Sequence, residues 1–435
     1  MDQRLAAQPT QTYARQAAHF EQVPVRETAP QTGTANTNGQ PPSGALQNPD
    51  RGGIDMKVAV LGAGRVGRTI ARDLAQDQEF EVTVMDRAPI ALEAVKGTPG
   101  ISTLRVDLSD PGAIRKAMKD QELGVGAVPG HMGYRTLQAV LEAGRSAVDI
   151  AFFPEDPFLL DGLAKAQGLV AVVDAGIAPG CSNLILGRME EEMDSTSRFE
   201  CLVGGLPVVR HWPFEYKAPF SPADVLEEYI RPARLRRNGK TVTLPALSEL
   251  EVVDFEEAGA LEAFNTDGLR TLLKTCETPE MIEKTLRYPG HAEWMKGLRH
   301  AGFFDKAPLQ IGEFSLSPRE VTARLLEKMW TFEEGEEDLT VMRIKVDGVM
   351  GGRKEQRTFF LLDRFDSATG TASMARTTGF TCTAMVRLVA RKLYTEPGIT
   401  PLEMVGRDPA SFDFVMKELE ARGIVFRQET EELQG

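Results

Sequence analysis

The chain has 435 residues, long enough for two or three domains, and its 42% hydrophobic residues can bury a sizeable core. A formal net charge of −13 excludes the basic surfaces that nucleic acids and anionic membranes require, and no stretch approaches the roughly 18 apolar residues of a membrane span. Four scattered cysteines, Cys181, Cys201, Cys276 and Cys382, with no C-x-x-C pair, exclude a disulfide framework and a zinc site and fit a cytoplasmic protein without a metal.

Residues 1–55 are rich in Gln, Thr, Pro, Ala, Asn and Gly and have little apolar periodicity. Such a segment buries too little surface to offset the entropy of ordering it, and it lacks the apolar core of a signal peptide. The expectation is a disordered extension, or translation from Met56 at the head of the first strand. Val58–Leu61 then runs directly into Gly62-Ala63-Gly64-Arg65-Val66-Gly67, a G-x-G-x-x-G turn followed by an amphipathic run from Thr69 to Leu74. A buried parallel strand reads as continuous apolar residues. In such a turn Gly62 makes the tight bend, Gly64 lets backbone approach a pyrophosphate and Gly67 lets helix and strand pack closely. Arg65 and Val66 open a helix whose free N–H groups point at the phosphates. The next strand, Glu81–Met85, ends in Asp86, near the spacing expected for an acid on the ribose hydroxyls. Asp86 would repel a 2′-phosphate and favours NAD. Arg87 beside it could pair with that phosphate, so NADP stays open.

The alternation continues. Ile101–Val106 ends at Asp107, where such folds contact the adenine, and Asp110-Pro111 opens a helix with an acid at the N-cap and proline at N1. Leu123–Val128 is a fourth strand, and its last residue Val128 and the loop that follows, Pro129–Gly133, stand at the carboxyl ends of the strands, where ligands lie in an open α/β sheet. A helix at Tyr134–Ala143, a strand ending in Val148-Asp149-Ile150, a helix at Pro157–Gln167 and a strand at Leu169–Val173 complete six repeats. The fold class expected for 56–178 is a doubly wound, parallel Rossmann sheet. Asp174-Ala175-Gly176-Ile177-Ala178-Pro179-Gly180 turns the chain out of it, with Asp174 and Gly176 facing the cofactor. Asp149 and Asp174, both at strand ends, read either as crevice residues or as turn acids.

From 179 to 376 the pattern is that of a second, α+β domain on an antiparallel sheet. Asn238-Gly239 is a strong hairpin signal, and Val341–Asp347 alternates apolar and polar residues as a half-solvated strand does. Gly351-Gly352 turns that strand into Thr358–Leu362, and Asp366–Gly370 turns again into a strand at Thr371–Ala375. Helices are expected at Pro222–Ile230, His291–Ala301 and Pro318–Lys328. The part from 377 to 435 reads as helical, at Thr383–Leu393 and Phe412–Arg422, and is expected to return to the first domain.

Several stretches together resemble the saccharopine dehydrogenase family: GAGRVG with Asp86, DAGIAPG at 174–180, GGLPV at 204–208, EYK at 215–217, LEAFNTDG at 261–268, TLRYPGHAE at 285–293 and MARTTG at 374–379. The resemblance runs from Met56 to near the C-terminus, and within the family it is nearest to lysine 6-dehydrogenases and bacterial saccharopine dehydrogenase-like proteins. It implies NAD(P)-dependent oxidation at the C–N bond of a lysine-derived amino acid, by a homodimer. Hydride leaves the carbon beside nitrogen for the nicotinamide, so the amine must be neutral, and a base is needed. The substrate carboxylate needs a cation, best an arginine.

Position supplies the candidates. Tyr216 and Lys217 match the family's Tyr-Lys, and with His291 they form the candidate catalytic group. Arg287, Tyr288 and Arg376 are the candidate substrate-binding residues, with Lys217 a second cation for the carboxylate. His131, beside the cofactor loop, is another possible base. A reductive condensation of the kind used in polyamine synthesis, and a dinucleotide-binding sensor without turnover, stand as alternatives.

Overall fold

The computed structural model describes residues 56–218, 222–333 and 335–433, so the expectations made for residues 1–55 lie outside the described residues. Six strands come first: β1 (Met56–Leu61), β2 (Phe80–Asp86), β3 (Ile101–Arg105), β4 (Leu123–Gly126), β5 (Ser146–Asp149) and β6 (Val170–Val173). The middle of the chain contributes β7 (Ser195–Pro207), β8 (Ala233–Arg237), β9 (Lys240–Leu244), β10 (Glu251–Phe255), β11 (Gly259–Asn265), β12 (Glu280–Arg287), β13 (Leu309–Ile311), β14 (Phe314–Leu316), β15 (Asp338–Met350) and β16 (Arg353–Arg364). Two short strands close the chain, β17 (Gly398–Pro401) and β18 (Arg427–Glu432).

The first sheet is parallel, in the order β17-β6-β5-β4-β1-β2-β3. Its order reverses at β1, which pairs with β2 on one side and β4 on the other. Strands such as Val58–Leu61 and Val170–Val173 are wholly buried because helices cover both faces. The reversal leaves a crevice beyond the ends of β1 and β4, which is where the glycine turn sits.

The second sheet has nine strands, with β10-β11-β12-β7-β15-β16-β18 as its main path and the β8–β9 hairpin attached to β12. It departs from the antiparallel expectation at one place, where β12 runs parallel to β7. Between these strands the chain passes through the helix Pro222–Ile230 and two hairpins before returning in the same direction. Asn238 and Gly239 both take positive φ, the backbone that a two-residue hairpin turn requires.

The C-terminal part differs most from its sequence reading. The stretch 371–375 is not a strand. After a single bridge at Thr371 the helix Ser373–Ala390 begins, and the Asp338 carboxylate caps it by accepting from the Ser373 and Met374 N–H groups at 2.6 and 3.1 Å. Its first turns are masked in sequence by buried threonines, which return their hydroxyls to the preceding turn (Thr377 to Ser373 O at 3.0 Å, Thr381 to Thr377 O at 2.8 Å). This helix packs against the helix Arg65–Leu74, and Arg387 pins the two through Asp73 and Asp77 at 2.8 and 2.7 Å. β17 then extends the first sheet beyond β6, while β18 edges the second sheet beside β16.

Candidate active site

A cleft of about 940 Å³ opens where the glycine turn meets the second sheet. All twelve residues expected at the cofactor line it: Gly62, Gly64, Arg65, Val66, Gly67, Asp86, Arg87, Asp107, Val128, Pro129, Asp174 and Gly176. The turn is built for close approach. Gly62 has φ +118, and a Cβ there would sit 2.3 Å from the Ala127 carbonyl oxygen on the neighbouring strand end. A Cβ on Gly67 would sit 2.0 Å from the Gly62 oxygen, whereas Gly64 meets only open space, on the side where a pyrophosphate would lie. The helix Arg65–Leu74 has no side-chain cap, so its first N–H groups remain available to an anion. These features fit a dinucleotide.

Asp86 does more than face a ribose. One carboxylate oxygen accepts from the Ala63 N–H in the turn (2.9 Å) and the other from the Ala88 N–H (2.8 Å), so the acid braces the glycine loop. Arg87 is exposed at the rim, and Arg105 donates to its carbonyl at 3.2 Å. Asp107 is held by the Ser109 hydroxyl and N–H, which lower its pKa. Arg65 reaches across the cleft to the Phe332 carbonyl at 3.2 Å.

The opposite wall is charged and largely buried. On β12, alternate residues share a face, so Glu283, Thr285 and Arg287 all line the cleft. Arg287 donates to Glu228 at 2.8 Å, to the Leu286 carbonyl at 2.9 Å and to the Tyr229 hydroxyl at 3.3 Å, and its guanidinium lies 4.4 Å from the centre of the Tyr216 ring. Burial alone would push its pKa down, but Tyr216, Tyr229 and Glu228 outweigh that and hold it above the usual value. The helix Pro222–Ile230 turns Asp224, Glu227 and Glu228 to the cleft, with Arg231 just beyond it, while Val225, Leu226 and Tyr229 are buried. That i, i+3, i+4, i+7 spacing was readable as a polar helix face. Nothing in the sequence said that this face looks into a site rather than into water.

Asp174 joins the two walls. Its Oδ2 accepts from Arg270 Nε at 2.8 Å, and Arg270 also donates to the Phe153 carbonyl at 2.6 Å. Asp174, Arg270 and Glu215, the residue before Tyr216, all adopt left-handed backbone. For residues other than glycine that is strained, and such strain collects at functional sites. Five buried polar atoms in this region have no hydrogen-bond partner: Asp174 Oδ1, Tyr216 OH, Glu283 Oε2, Arg231 Nη1 and Arg270 Nη2. Leaving such groups unpaired costs about 1–3 kcal/mol each, so their gathering marks the place of a polar ligand.

Four residues expected here lie elsewhere. His291 is fully buried behind Tyr216, with Nδ1 2.7 Å from the Phe214 carbonyl and Nε2 2.8 Å from the Tyr229 hydroxyl. The carbonyl can only accept, so Nδ1 carries the proton and Nε2 accepts from Tyr229. Burial, then Arg287, pushes its pKa down to about 3. It is a neutral brace, not a base on a ligand. Lys217 points away and binds Glu336 (2.6 Å) and the Thr331 carbonyl (3.3 Å). Tyr288 donates to the Pro207 carbonyl at 3.0 Å beneath the Arg210 guanidinium, in a separate core. Arg376 is tied to Asp363, Asp366 and the Arg422 carbonyl. Met374 and Thr378 of the same helix line the cleft, and residue 376 lies on the far side of the turn. His131 does line the cleft, and Asp149 is buried behind it.

Among the described residues, no group of three His, Cys, Asp or Glu side chains is arranged to hold a metal ion. All four cysteines are buried and free.

Comparison with known proteins agrees along the chain. A model described as the saccharopine dehydrogenase NADP binding domain matches residues 58–172, and one described as the saccharopine dehydrogenase C-terminal domain matches 176–424. The Schizosaccharomyces pombe saccharopine dehydrogenase [NADP(+), L-glutamate-forming] is 22% identical over 421 residues, covering 79% of this chain and 92% of its own. Its Saccharomyces cerevisiae counterpart is 22% identical over 446 residues, covering 86% and 99%. The solved structure of the apo histidine-tagged S. cerevisiae saccharopine dehydrogenase (L-Glu forming) shares the fold, with a TM-score of 0.71 at 20% identity over 86% of this chain and 100% of that one. Glycine turn, charged wall and both halves of the chain thus agree: the protein belongs to the saccharopine dehydrogenase family, NAD(P)-dependent oxidoreductases acting on CH–NH donors.

Proposed function

We propose that the protein oxidises a saccharopine-like secondary amine, one that joins a lysine-derived carbon to an amino-acid nitrogen, and that it prefers NADP. The observation that carries this reading is the set of unpaired buried atoms in and just behind the cleft lining, two carboxylate oxygens, a phenol and two guanidinium nitrogens. Carboxylates suit the cationic nitrogens of such a substrate, and guanidinium and phenol groups suit its carboxylates. Arg231, stacked on Phe152 in the cleft lining, offers a free N–H group to a carboxylate, with the Tyr216 hydroxyl as a further donor, and Arg270 stands behind the lining against the same ring. The acids at 224, 227 and 228 face the α-ammonium end. Two S. cerevisiae and S. pombe relatives named as L-glutamate-forming support a reaction that releases glutamate as the amine.

A nicotinamide held by the residues of the glycine turn would supply the acceptor for the hydride that leaves the carbon beside nitrogen. The protein holds that carbon toward the glycine-turn side and keeps the nitrogen against Asp174 and Glu283. NADP over NAD rests on Arg87, free at the rim beside an Asp86 whose two oxygens are already engaged by backbone. The names of the relatives point the same way. The first expectation, NAD on the strength of Asp86 alone, therefore gives way to NADP in this reading. Cytoplasmic residence and a homodimer remain part of the proposal.

The test is the appearance of reduced nicotinamide absorbance with NADP or NAD and saccharopine or lysine. NADP reduction with saccharopine is the expected result. Turnover with lysine alone replaces the reading with ε-deamination, and turnover with neither overturns it.

A further inference from the structure

We infer that Glu283 is the catalytic residue that takes the proton from the substrate nitrogen; this rests on the amine-oxidising reading above. Three observations place it there. Glu283 stands on the cleft face of β12, two residues from Thr285 and four from Arg287, and its side chain is almost wholly buried. Its Oε2 has no hydrogen-bond partner, and among the described residues it forms no ion pair, whereas Asp174 across the cleft is tied to Arg270 at 2.8 Å. Room for the carboxyl is built in: a Cβ at Gly268, which also lines the cleft, would fall 1.5 Å from Glu283 Oε1.

The surroundings tune the group to the task. Burial, then the charges of Asp267 in the loop after β11, Glu228 on the helix Pro222–Ile230 and Asp174 at the end of β6, push its pKa up to about 8, with Arg270 opposing. Cys201 faces it from β7, and Arg287 lies farther along its own strand. A base whose pKa lies near the working pH exchanges protons with least waste of driving force.

The step balances. The substrate enters as an ammonium, and one N–H proton passes to the Glu283 carboxylate, freeing the nitrogen lone pair. The adjacent C–H bond breaks with its electron pair leaving as hydride to the oxidised nicotinamide, and a C=N bond forms. Water adds to that carbon, the C–N bond breaks, and an amine and an aldehyde result, with one proton released to solvent.

The experiment follows kcat/KM against pH for the native enzyme, Glu283→Gln and Glu283→Asp, with the amine the native enzyme oxidises. In the native enzyme the rate rises through about pH 8, and Glu283→Gln is expected to lose that limb with a fall on the order of 10²–10⁴-fold. Glu283→Asp, which keeps a carboxyl, is expected to retain the limb at a reduced rate. Infrared titration without substrate supplies a second readout: the carbonyl stretch of a buried protonated carboxyl fades in the native protein between about pH 7 and 9 and is missing from Glu283→Gln. An unchanged pH limb in Glu283→Gln overturns the inference alone. Absence of turnover with any amine in the native enzyme overturns the underlying reading and this inference with it.

Discussion

The two walls of the cleft are held by different means. On the dinucleotide side, backbone makes the shape: Gly62, Gly64 and Gly67, with Asp86 tying its carboxylate to the Ala63 N–H, all lie within one strand–turn–helix–strand unit. On the other side, buried charges make it: Asp174, Glu228, Asp267, Glu283 and Arg287 converge from four separate segments and are fixed by Arg287–Glu228 within the wall and by Arg270 behind it, paired with Asp174. A wall of backbone is indifferent to pH and intolerant mainly at its glycines. A wall of buried charge is specific for a charged ligand, but each member depends on partners far away in the chain, and protons compete with the ligand for it.

That contrast can be broken at its strongest point by Arg287→Ala. Removing this guanidinium leaves Glu228 buried without its partner, which costs about 3–5 kcal/mol. Chemical denaturation is expected to show that loss, and amine turnover is expected to vanish. NADP binding by the folded fraction, read by quenching of protein fluorescence, is expected to persist. If dinucleotide affinity falls in parallel, the two walls are not independent.

A pH experiment sharpens the same point. The His291 pKa is depressed to about 3, so the folded state refuses a proton that the unfolded state accepts. Its contribution to stability is complete above about pH 6.5 and is lost as pH falls toward about 3, by roughly 1.4 kcal/mol per unit. Glu283 runs the other way. Its raised pKa means the folded state keeps a proton that the unfolded state releases, so stability falls between about pH 4.5 and 8. Thermal unfolding of His291→Gln is expected to flatten the acid side of the profile, and Glu283→Gln is expected to gain more stability at pH 9 than at pH 6. A native profile flat on both sides would contradict the charged-wall account.

On the backbone side, Gly62→Ala forces a Cβ into the Ala127 carbonyl at a left-handed φ. It is expected to cost about 1–3 kcal/mol and to weaken NADP binding at least tenfold while the pH profile of stability keeps its shape. The smallest effect is expected from Arg87→Ala. Loss of one rim cation should weaken NADP by about tenfold, near 1.4 kcal/mol, and leave NAD unchanged, as competitive coenzyme titrations would show. Equal loss for both coenzymes would remove Arg87 from the 2′-phosphate.

How much of this was legible in the sequence follows the same division. The glycine wall was readable because its determinants are local: apolar run, turn, helix and acid follow one another, and the cleft lining includes every residue expected there. The charged wall was not. The stretch Glu280–Arg287 contains five charged or polar side chains, and sequence alone does not say which alternate set points inward; the structure turns Glu283, Thr285 and Arg287 to the cleft. Motif matching brought attention to Lys217, His291, Tyr288 and Arg376, all beside the site in sequence, yet each spends its polar atoms on protein partners. The first turns of the helix at 373–390 were hidden by threonines, though its later part was read as helical, and β17 was hidden by its length of four residues, too short to show a period.

That last strand bears on how the molecule is made. β17 forms the outer edge of the first sheet, yet it emerges from the ribosome more than two hundred residues after its neighbour β6. Until Gly398–Pro401 arrives, the nascent sheet presents the open edge of β6, a template for pairing with other chains. A chain cut short before residue 398 would carry the dinucleotide turn intact and still be prone to aggregate. Biosynthesis of this enzyme therefore places its period of greatest vulnerability between the first half of the fold and the last few dozen residues, the interval in which chaperone cover would matter most.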